Sequence, residues 1–172
     1  MAATAVTLCG IELENPIIPA SGTFGYGQEF AQLYDINMLG TFSFKGTTRA
    51  PRFGNPTPRI AEYAGGMLNA VGLQNPGIEL FCKRDIPFLK QYDTKIIVNV
   101  CGHSTEEYVA VVERLADEPV DLLEINISCP NVKEGGIAFG QNPASAERIT
   151  VAVKKVAKHP VCLLYTSPSP RD

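Results

Sequence analysis

The sequence predicts an α/β fold in which strands alternate with helices. Two short apolar runs, Lys95 to Val100 and Leu122 to Ile127, have the length and the residue types of buried strands. The first run is followed by a segment with helical spacing, from Ser104 to Ala116. Strands and helices that alternate in this way form a parallel sheet that is covered on both faces.

The composition is that of one globular domain with an ordinary charge. The chain has 172 residues, of which 45% are hydrophobic and 19% are charged, and its net charge is -3. This is enough for one core and too little for two comfortable domains. No cluster of Lys and Arg indicates a nucleic-acid partner, and no apolar run approaches the roughly 18 residues of a membrane span. We therefore expect no nucleic-acid partner, no membrane partner and a cytoplasmic location.

The five cysteines are scattered along the chain, and none forms a CxxC pair with another. They are Cys9, Cys82, Cys101, Cys129 and Cys162. An odd number of unpaired cysteines is typical of a reducing compartment, and this spacing favours neither a disulfide framework nor a zinc site. We expect no metal site.

Turn residues and apolar spacing predict the elements that precede residue 50. We expect a hairpin that leads into a first strand over Val6 to Ile18, a short helix around Gln28 to Tyr34, and a second strand over Met38 to Phe44. The second strand ends at Lys45, whose ammonium group can face a ligand from that position. The alternative is a solvated lysine at the edge of a loop.

Residues 51–77 have neither a helical nor a strand period. A loop of this length in a compact domain is usually functional or disordered, and its apolar residues argue against disorder. Within it, Asn69 to Leu73 is suited to presenting an amide and backbone groups to a ligand. A packed surface loop is the alternative.

After residue 77, capping signals predict most of the elements. A helical patch spans Gly77 to Leu89, and a helix begins at the capping box Ser104 to Glu107. Another helix begins at Asn142-Pro143, with an Asx cap and a proline in the first position. Pro160 to Leu164 opens a fifth strand.

Polar groups lie at or near the carboxyl ends of different predicted strands: Ser21, Lys45, Asn99 and residues 126–129. A (β/α)₈ TIM barrel assembles its active site at this end of its strands. The chain contains only about four and a half strand–helix units, whereas such barrels typically need about 250 residues. The predicted fold is therefore a (β/α)₈ barrel truncated after those units.

A buried amide such as Asn99 must be hydrogen-bonded, so it either bridges to a neighbouring strand or contacts a ligand.

The stretch from Leu122 to Gly140 predicts a reactive thiol. Its strand ends in Cys129, which lies between Asn126 and Asn131, and a loop with Gly135-Gly136 follows. This arrangement fits a reactive group that is held rigidly from below and covered by a moving loop. The alternative is an ordinary buried cysteine.

Three motifs carry a resemblance to a known family: NPIIPASGTFGYG, NPTPRIAEYAGGMLNAVGLQNPG and NISCPNVKEGGIAFG. Together they resemble the dihydroorotate dehydrogenases, from about Val6 to Val161. They are most similar to the catalytic subunit of the class 1, NAD-linked, heteromeric form. The resemblance implies FMN-dependent oxidation of (S)-dihydroorotate to orotate in pyrimidine (UMP) biosynthesis.

The resemblance also assigns the site residues. It implies that Cys129 is the general base that removes the C5 proton while hydride leaves C6 for the flavin. The residues that it implies for FMN are Ser21, Lys45, Gly46, Asn99 and Asn126. Those that it implies for the substrate are Lys45, Asn69, Ala70, Val71, Gly72, Leu73, Asn126 and Asn131.

The resemblance further implies a partner. This is an electron-transfer subunit that carries FAD and a [2Fe–2S] cluster, passes electrons to NAD⁺, and forms a heterotetramer with a homodimer of catalytic subunits. The alternatives are a related flavin-dependent dihydropyrimidine dehydrogenase, a non-catalytic subunit that has kept the barrel, and an inactive barrel fragment.

The resemblance ends near residue 161. Residues 1–161 are expected to be the N-terminal half of a single FMN-binding barrel domain. Residues 162–172 read CLLYTSPSPRD, with Leu164 near the position where the family has a lysine that contacts FMN. We expect this tail to be non-native and the gene to be truncated. We also expect the 172-residue chain not to hold FMN stably.

Overall fold

The computed structural model describes residues 4–129 and 137–165. Its strands are β1 (Val6–Leu8), β2 (Ile11–Leu13), β3 (Thr41–Ser43), β4 (Ile60–Tyr63), β5 (Gly66–Asn69), β6 (Lys95–Val100), β7 (Leu122–Asn126) and β8 (Val161–Leu164). Its helices are α1 (Ser21–Phe24), α2 (Ile78–Leu80), α3 (Ile86–Leu89), α4 (Thr105–Arg114), α5 (Ile137–Gly140) and α6 (Pro143–Val156). A π-helical segment, Phe81–Asp85, joins α2 to α3, and 3₁₀ helices span Phe30–Gln32 and Ile36–Met38.

The centre of the fold is a parallel sheet with the strand order β3-β6-β7-β8. Its register pairs Thr41 with Lys95, Ile97 with Leu122, and Leu123 with Val161. Helix α4 connects β6 to β7, and α5 and α6 lie between β7 and β8. The predicted alternation of strands and helices is therefore confirmed.

The two faces of this sheet differ in polarity. Alternate residues of a strand point to opposite faces, and one set, which includes Val98 and Ile125, joins the apolar core. Tyr108, Val111 and Leu115 of α4 belong to the same core. The opposite face carries polar side chains at three neighbouring strands, namely Ser43, Asn99 and Glu124. One face is thus packed against helices, and the other is hydrogen-bonded.

The helices begin where the capping residues predict. The Ser104 side chain accepts a hydrogen bond from the Glu107 backbone N–H at 3.3 Å, and the Glu107 carboxylate accepts one from the His103 N–H at 2.7 Å. Asn142 caps α6 by accepting from the Ser145 N–H at 3.1 Å. The local sequence therefore determines both starts.

Two predictions for the N-terminal part are wrong. The hairpin forms as β1 and β2, but the expected first strand is irregular from residue 15 to residue 20. Pro16 and Pro19 have no N–H to donate, and this segment instead accepts hydrogen bonds from Gly40 and Ser43, each at 3.2 Å. The expected helix around Gln28 to Tyr34 is limited to the 3₁₀ turn at Phe30–Gln32.

The loop from residue 51 to residue 77 contains an antiparallel hairpin, β4–β5, that was not predicted. All of its residues are exposed, so its sequence lacks the alternation of a strand with one buried face.

Over residues 4–129 and 137–165, no helix has the length and hydropathy that a membrane crossing needs.

Candidate functional site

A cavity of about 520 Å³ lies at the carboxyl ends of β3 and β7. We call it the strand-end cavity. Its walls come from α1, from the chain after β3, from the β4–β5 hairpin and the loop after it, and from the end of β7. The lining residues are Ser21, Gly22, Thr23, Lys45, Gly46, Ile60, Met67, Asn69, Val71, Gly72, Leu73, Asn126 and Cys129. These residues are distant in the sequence, and the parallel sheet and the hairpin bring them together.

Lys45 and Gly46 are held in place by backbone hydrogen bonds on both sides. The Lys45 N–H donates to the Gly25 carbonyl at 2.8 Å. The Thr47 N–H donates to the Asn99 carbonyl at 2.8 Å, and the Cys101 N–H donates to the Thr47 carbonyl at 2.9 Å. The chain after β3 therefore continues beside the end of β6, and Lys45 is fixed in the cavity wall.

Gly46 occupies a position that only a glycine fits. A Cβ at this residue would lie 2.6 Å from the Cys101 Sγ, and 2.9 Å from both the Asn99 Oδ1 and the Leu73 Cδ1. Contacts this close would force neighbouring groups to move. The missing side chain of Gly46 thus lets Cys101, Asn99 and Leu73 pack directly against the backbone of the cavity wall.

Asn75 was not predicted as a site residue. Its side-chain amide holds the loop that contains Leu73 in place through hydrogen bonds. Its Oδ1 accepts hydrogen bonds from the Thr48 N–H at 3.1 Å and the Gly77 N–H at 2.9 Å, and its Nδ2 donates to the Leu73 carbonyl at 2.9 Å. Leu73 itself has a φ of 57°, a left-handed conformation that is unusual for leucine. The loop is therefore held against the chain that follows β3.

The end of β7 is fixed from two directions. The buried Tyr108 hydroxyl of α4 donates to the Asn126 carbonyl at 2.6 Å. The Asn126 Oδ1 accepts from the Ser128 N–H at 3.0 Å and from the Ser128 hydroxyl at 2.9 Å. Cys129 follows directly, is partly exposed, and lies in the cavity wall.

The two cysteines near the cavity differ in environment. Cys101 is fully buried, and its Sγ donates to the Asn99 Oδ1 at 3.3 Å. Burial raises the pKa of the Cys101 thiol far above its ordinary value, which keeps it protonated. Cys129 is the thiol that a ligand in the cavity can reach.

Asn99 bridges neighbouring strands. It is fully buried, its Nδ2 donates to the Glu124 carboxylate, and its Oδ1 accepts from the Asn126 Nδ2 at 3.2 Å. The sequence allowed two roles for Asn99, a bridge to a neighbouring strand or a ligand contact. These hydrogen bonds form the bridge. Glu124 was not predicted as a site residue. The sequence feature that could have revealed Glu124 is an acidic residue within an apolar strand, next to a strand that carries a buried amide.

The predicted site residues fall into three groups. The strand-end cavity brings together Ser21, Lys45, Gly46, Asn69, Val71, Gly72, Leu73, Asn126 and Cys129. Two residues do not line this cavity: Asn99 is buried, and Ala70 lines an adjoining cavity that shares Asn69 with it. Asn131 and Gly135-Gly136 lie outside the described residues.

The chain resembles the catalytic subunits of bacterial dihydroorotate dehydrogenase B (NAD(+)). It is 57% identical to that of Lachnoclostridium phytofermentans over 169 residues, which cover 98% of this chain and 56% of the relative. It is 57% identical to the subunit of Alkaliphilus oremlandii over 161 residues, which cover 94% and 53%. The chain thus spans about half the length of the curated relatives that it matches.

A solved structure shares the fold. The crystal structure of DHODH from Eimeria tenella in complex with ferulenol matches with a TM-score of 0.72 at 22% identity. The match covers 89% of this chain and 43% of that chain. The fold prediction is confirmed, because the parallel sheet and its helices form about half of a (β/α)₈ barrel.

The family model described as dihydroorotate dehydrogenase matches residues 3–168, nearly the whole chain. The three quoted motifs, the half-barrel and the strand-end cavity agree with this match. The chain therefore belongs to the dihydroorotate dehydrogenase family.

Proposed function

We propose that this chain is the N-terminal half of an enzyme subunit that oxidises (S)-dihydroorotate to orotate in pyrimidine biosynthesis. One observation carries the proposal: Cys129 shares a single cavity with Lys45, Asn69 and Asn126. A thiol, an ammonium group and two amides are suited to remove a proton from a ring that carries carbonyl and N–H groups, and to hold that ring.

The residues that line the strand-end cavity support FMN as the proposed cofactor. The Ser21 hydroxyl and the Lys45 ammonium group line it, and both can donate hydrogen bonds to an electron-rich ring. Gly46 also lines the cavity, so its backbone groups are within reach of a ligand there. Of the FMN contacts that the resemblance implies, Ser21, Lys45, Gly46 and Asn126 line this cavity, and we propose them as direct contacts. Asn99 does not line it, and we propose that it acts on FMN through Asn126. When bound, FMN would supply the acceptor for the hydride that leaves C6 of dihydroorotate.

Cys129 is the proposed general base. As a thiolate, its Sγ takes the proton from C5, and the electron pair of that C–H bond forms the C5–C6 double bond of orotate as hydride departs from C6. Cys129 lines the cavity and Ser128 does not, which favours the thiol as the proton acceptor at this strand end. The reaction balances, since the substrate loses one proton and one hydride.

The amides are the proposed substrate contacts. Orotate presents both ring N–H and C=O groups, and an amide can pair with either. We assign these contacts to Lys45, Asn69, Ala70, Val71, Gly72, Leu73, Asn126 and Asn131. Lys45 would also stabilise negative charge that develops in the cavity as the substrate is oxidised.

The partners follow from the same proposal. The matched relatives are named as catalytic subunits of an NAD(+) enzyme. By that likeness, this chain would work in the cytoplasm with an electron-transfer subunit that carries FAD and a [2Fe–2S] cluster. Two catalytic subunits would pair, which gives a heterotetramer that reduces NAD⁺.

Residues 162–172 remain a proposed non-native tail. β8 includes Cys162 and Leu164, and the family model matches as far as residue 168, so the first part of this segment is also compatible with a native origin. Genomic sequencing past codon 161 tests the proposal. We expect a continuation that resembles the relatives, and recovery of CLLYTSPSPRD would contradict it.

The central test replaces Cys129 in the full-length subunit, assembled with its partner. We expect Cys129→Ala to lower kcat by about 10²- to 10⁴-fold, the usual contribution of a general base, while orotate still binds. Cys9→Ser, at an exposed cysteine that does not line the cavity, is the matched control and should leave kcat unchanged. Full activity of Cys129→Ala would refute the assignment. Turnover of dihydrouracil in place of dihydroorotate would instead indicate a dihydropyrimidine dehydrogenase.

A further inference from the structure

Glu124 is an acidic residue on the polar face of the sheet, at a strand position next to Asn99. Its Oε1 accepts a hydrogen bond from the Ser43 hydroxyl at 2.6 Å and another from the Asn99 Nδ2. Glu124 does not line the strand-end cavity, and neither of these bonds involves a residue of the cavity wall. Its effect on the cavity must therefore pass through Asn99.

A chain of hydrogen bonds runs from Glu124 to the loop that carries Cys129. A carboxylate only accepts, so the Asn99 amide must turn its Nδ2 toward Glu124 and its Oδ1 toward the Asn126 Nδ2, at 3.2 Å. At the other end the Ser128 backbone N–H only donates, and it meets the Asn126 Oδ1 at 3.0 Å. Glu124 and the Ser128 N–H therefore impose the same orientation on the Asn99 and Asn126 amides.

This direction determines what Asn126 can offer to a ligand. An amide oxygen accepts two hydrogen bonds and an amide nitrogen donates two. The Asn126 Oδ1 already accepts twice from Ser128, and its Nδ2 donates once to Asn99. One N–H remains, so a ligand atom that meets Asn126 must be an acceptor.

We propose that Glu124 is a positioning residue that, through Asn99, makes Asn126 a hydrogen-bond donor to a carbonyl oxygen of the ligand in the strand-end cavity. Without the carboxylate, the Asn99 amide can turn over and present its Nδ2 to the Asn126 Nδ2. The Asn126 Nδ2 then loses its acceptor, and Ser128 alone holds the Asn126 amide. The choice of a pyrimidine ligand rests on the proposed function.

The experiment measures the Kd of orotate by calorimetry in the full-length, FMN-loaded subunit. Glu124→Leu removes the acceptor, and we expect it to weaken binding by about tenfold or more. Glu124→Gln keeps an oxygen for Ser43 and Asn99, and we expect a Kd within about threefold of wild type. Ser43→Ala is the matched control. It removes the other donor to Glu124 and should also stay within about threefold.

A compensating pair keeps the test decisive if Glu124→Leu does not fold. Asn99→Asp sets two carboxylates against each other and should weaken orotate binding. Adding Glu124→Gln to that variant restores a donor between the two side chains, so we expect the Kd to fall by about fivefold. If Glu124 had only a structural role, Glu124→Gln would not leave the Kd nearly unchanged in the wild-type subunit and improve it in the Asn99→Asp variant.

The outcomes separate the inference from the proposed function. Wild-type affinity in Glu124→Leu would overturn the inference, and so would failure of Glu124→Gln to improve Asn99→Asp. A Glu124→Gln variant as weak as Glu124→Leu would overturn it too, because the charge and not the acceptor would then matter. If the wild-type subunit itself does not bind orotate, the proposed function fails instead.

Discussion

At the scale of single residues, the site depends on a few positions where size or hydrogen-bonding capacity leaves no choice. Gly46 has no room for a methyl group. Asn75 fastens the Leu73 loop with its own amide. The orientation of the Asn99 amide is fixed by the Glu124 carboxylate, which only accepts hydrogen bonds. That of the Asn126 amide is fixed by the Ser128 backbone N–H, which only donates. These positions shape the cavity although few of them would perform chemistry.

We predict that Gly46→Ala destabilises the full-length subunit by about 1–3 kcal/mol, the usual cost of overpacking. Its Cβ would lie 2.6 Å from the Cys101 Sγ and 2.9 Å from the Asn99 Oδ1. Thermal and urea unfolding measure the change. Gly22→Ala is the control for stability, because it lies in the same cavity wall and its Cβ meets no atom within 4 Å. Equal stability of the two variants would contradict the prediction.

At the scale of elements, α4 supports the end of β7 through one hydroxyl group. Tyr108 is fully buried on α4, and its hydroxyl satisfies the Asn126 carbonyl where β7 ends. Its ring also packs edge-on against Phe139, with 6.3 Å between the ring centroids. The helix that the capping box begins therefore holds the strand end that carries the proposed site.

We predict that Tyr108→Phe lowers the free energy of unfolding by about 1–3 kcal/mol, because the Asn126 carbonyl would be buried without its partner. The ring packing would remain. Tyr34→Phe removes a hydroxyl from a side chain that is 36% exposed, and we expect a change within about 0.5 kcal/mol. Urea denaturation of both variants decides. A Tyr108→Phe protein as stable as Tyr34→Phe would show that the hydroxyl contributes nothing.

The elements that could be predicted are those whose signal is local. β6 and α4 follow from an apolar run and a capping box, and α6 follows from Asn142 and Pro143. The hairpin β4–β5 was missed because it has no buried face to impose a period. Glu124 was missed because its role depends on the register between β6 and β7, which no single segment contains.

At the scale of the whole molecule, the described sheet is an open arc. Its edges are β3 and β8, and β3 is partly covered by hydrogen bonds to the segment that contains Ile17 and Pro19. The inner face carries Ser43, Asn99 and Glu124. Ser43 and Asn99 are buried even in this arc, whereas Glu124 is partly exposed, so water can compete for the hydrogen bonds of Glu124.

We predict that the 172-residue chain does not retain FMN, whereas the full-length subunit does. Loops near the last two strands of such barrels commonly bind phosphate, and the chain spans about half the length of its relatives. Gel filtration followed by a visible absorption spectrum measures the bound flavin. A near-stoichiometric flavin spectrum on the 172-residue chain would contradict the prediction.

The strand-end cavity also has a consequence for the order of folding. Its walls come from Ser21, Lys45, Asn69 and Cys129, which lie far apart in the sequence. Long-range contacts require the largest loops to close, so they form after local hairpins and helices. Ligand binding to this cavity would therefore lower the unfolding rate and leave the rate of folding nearly unchanged.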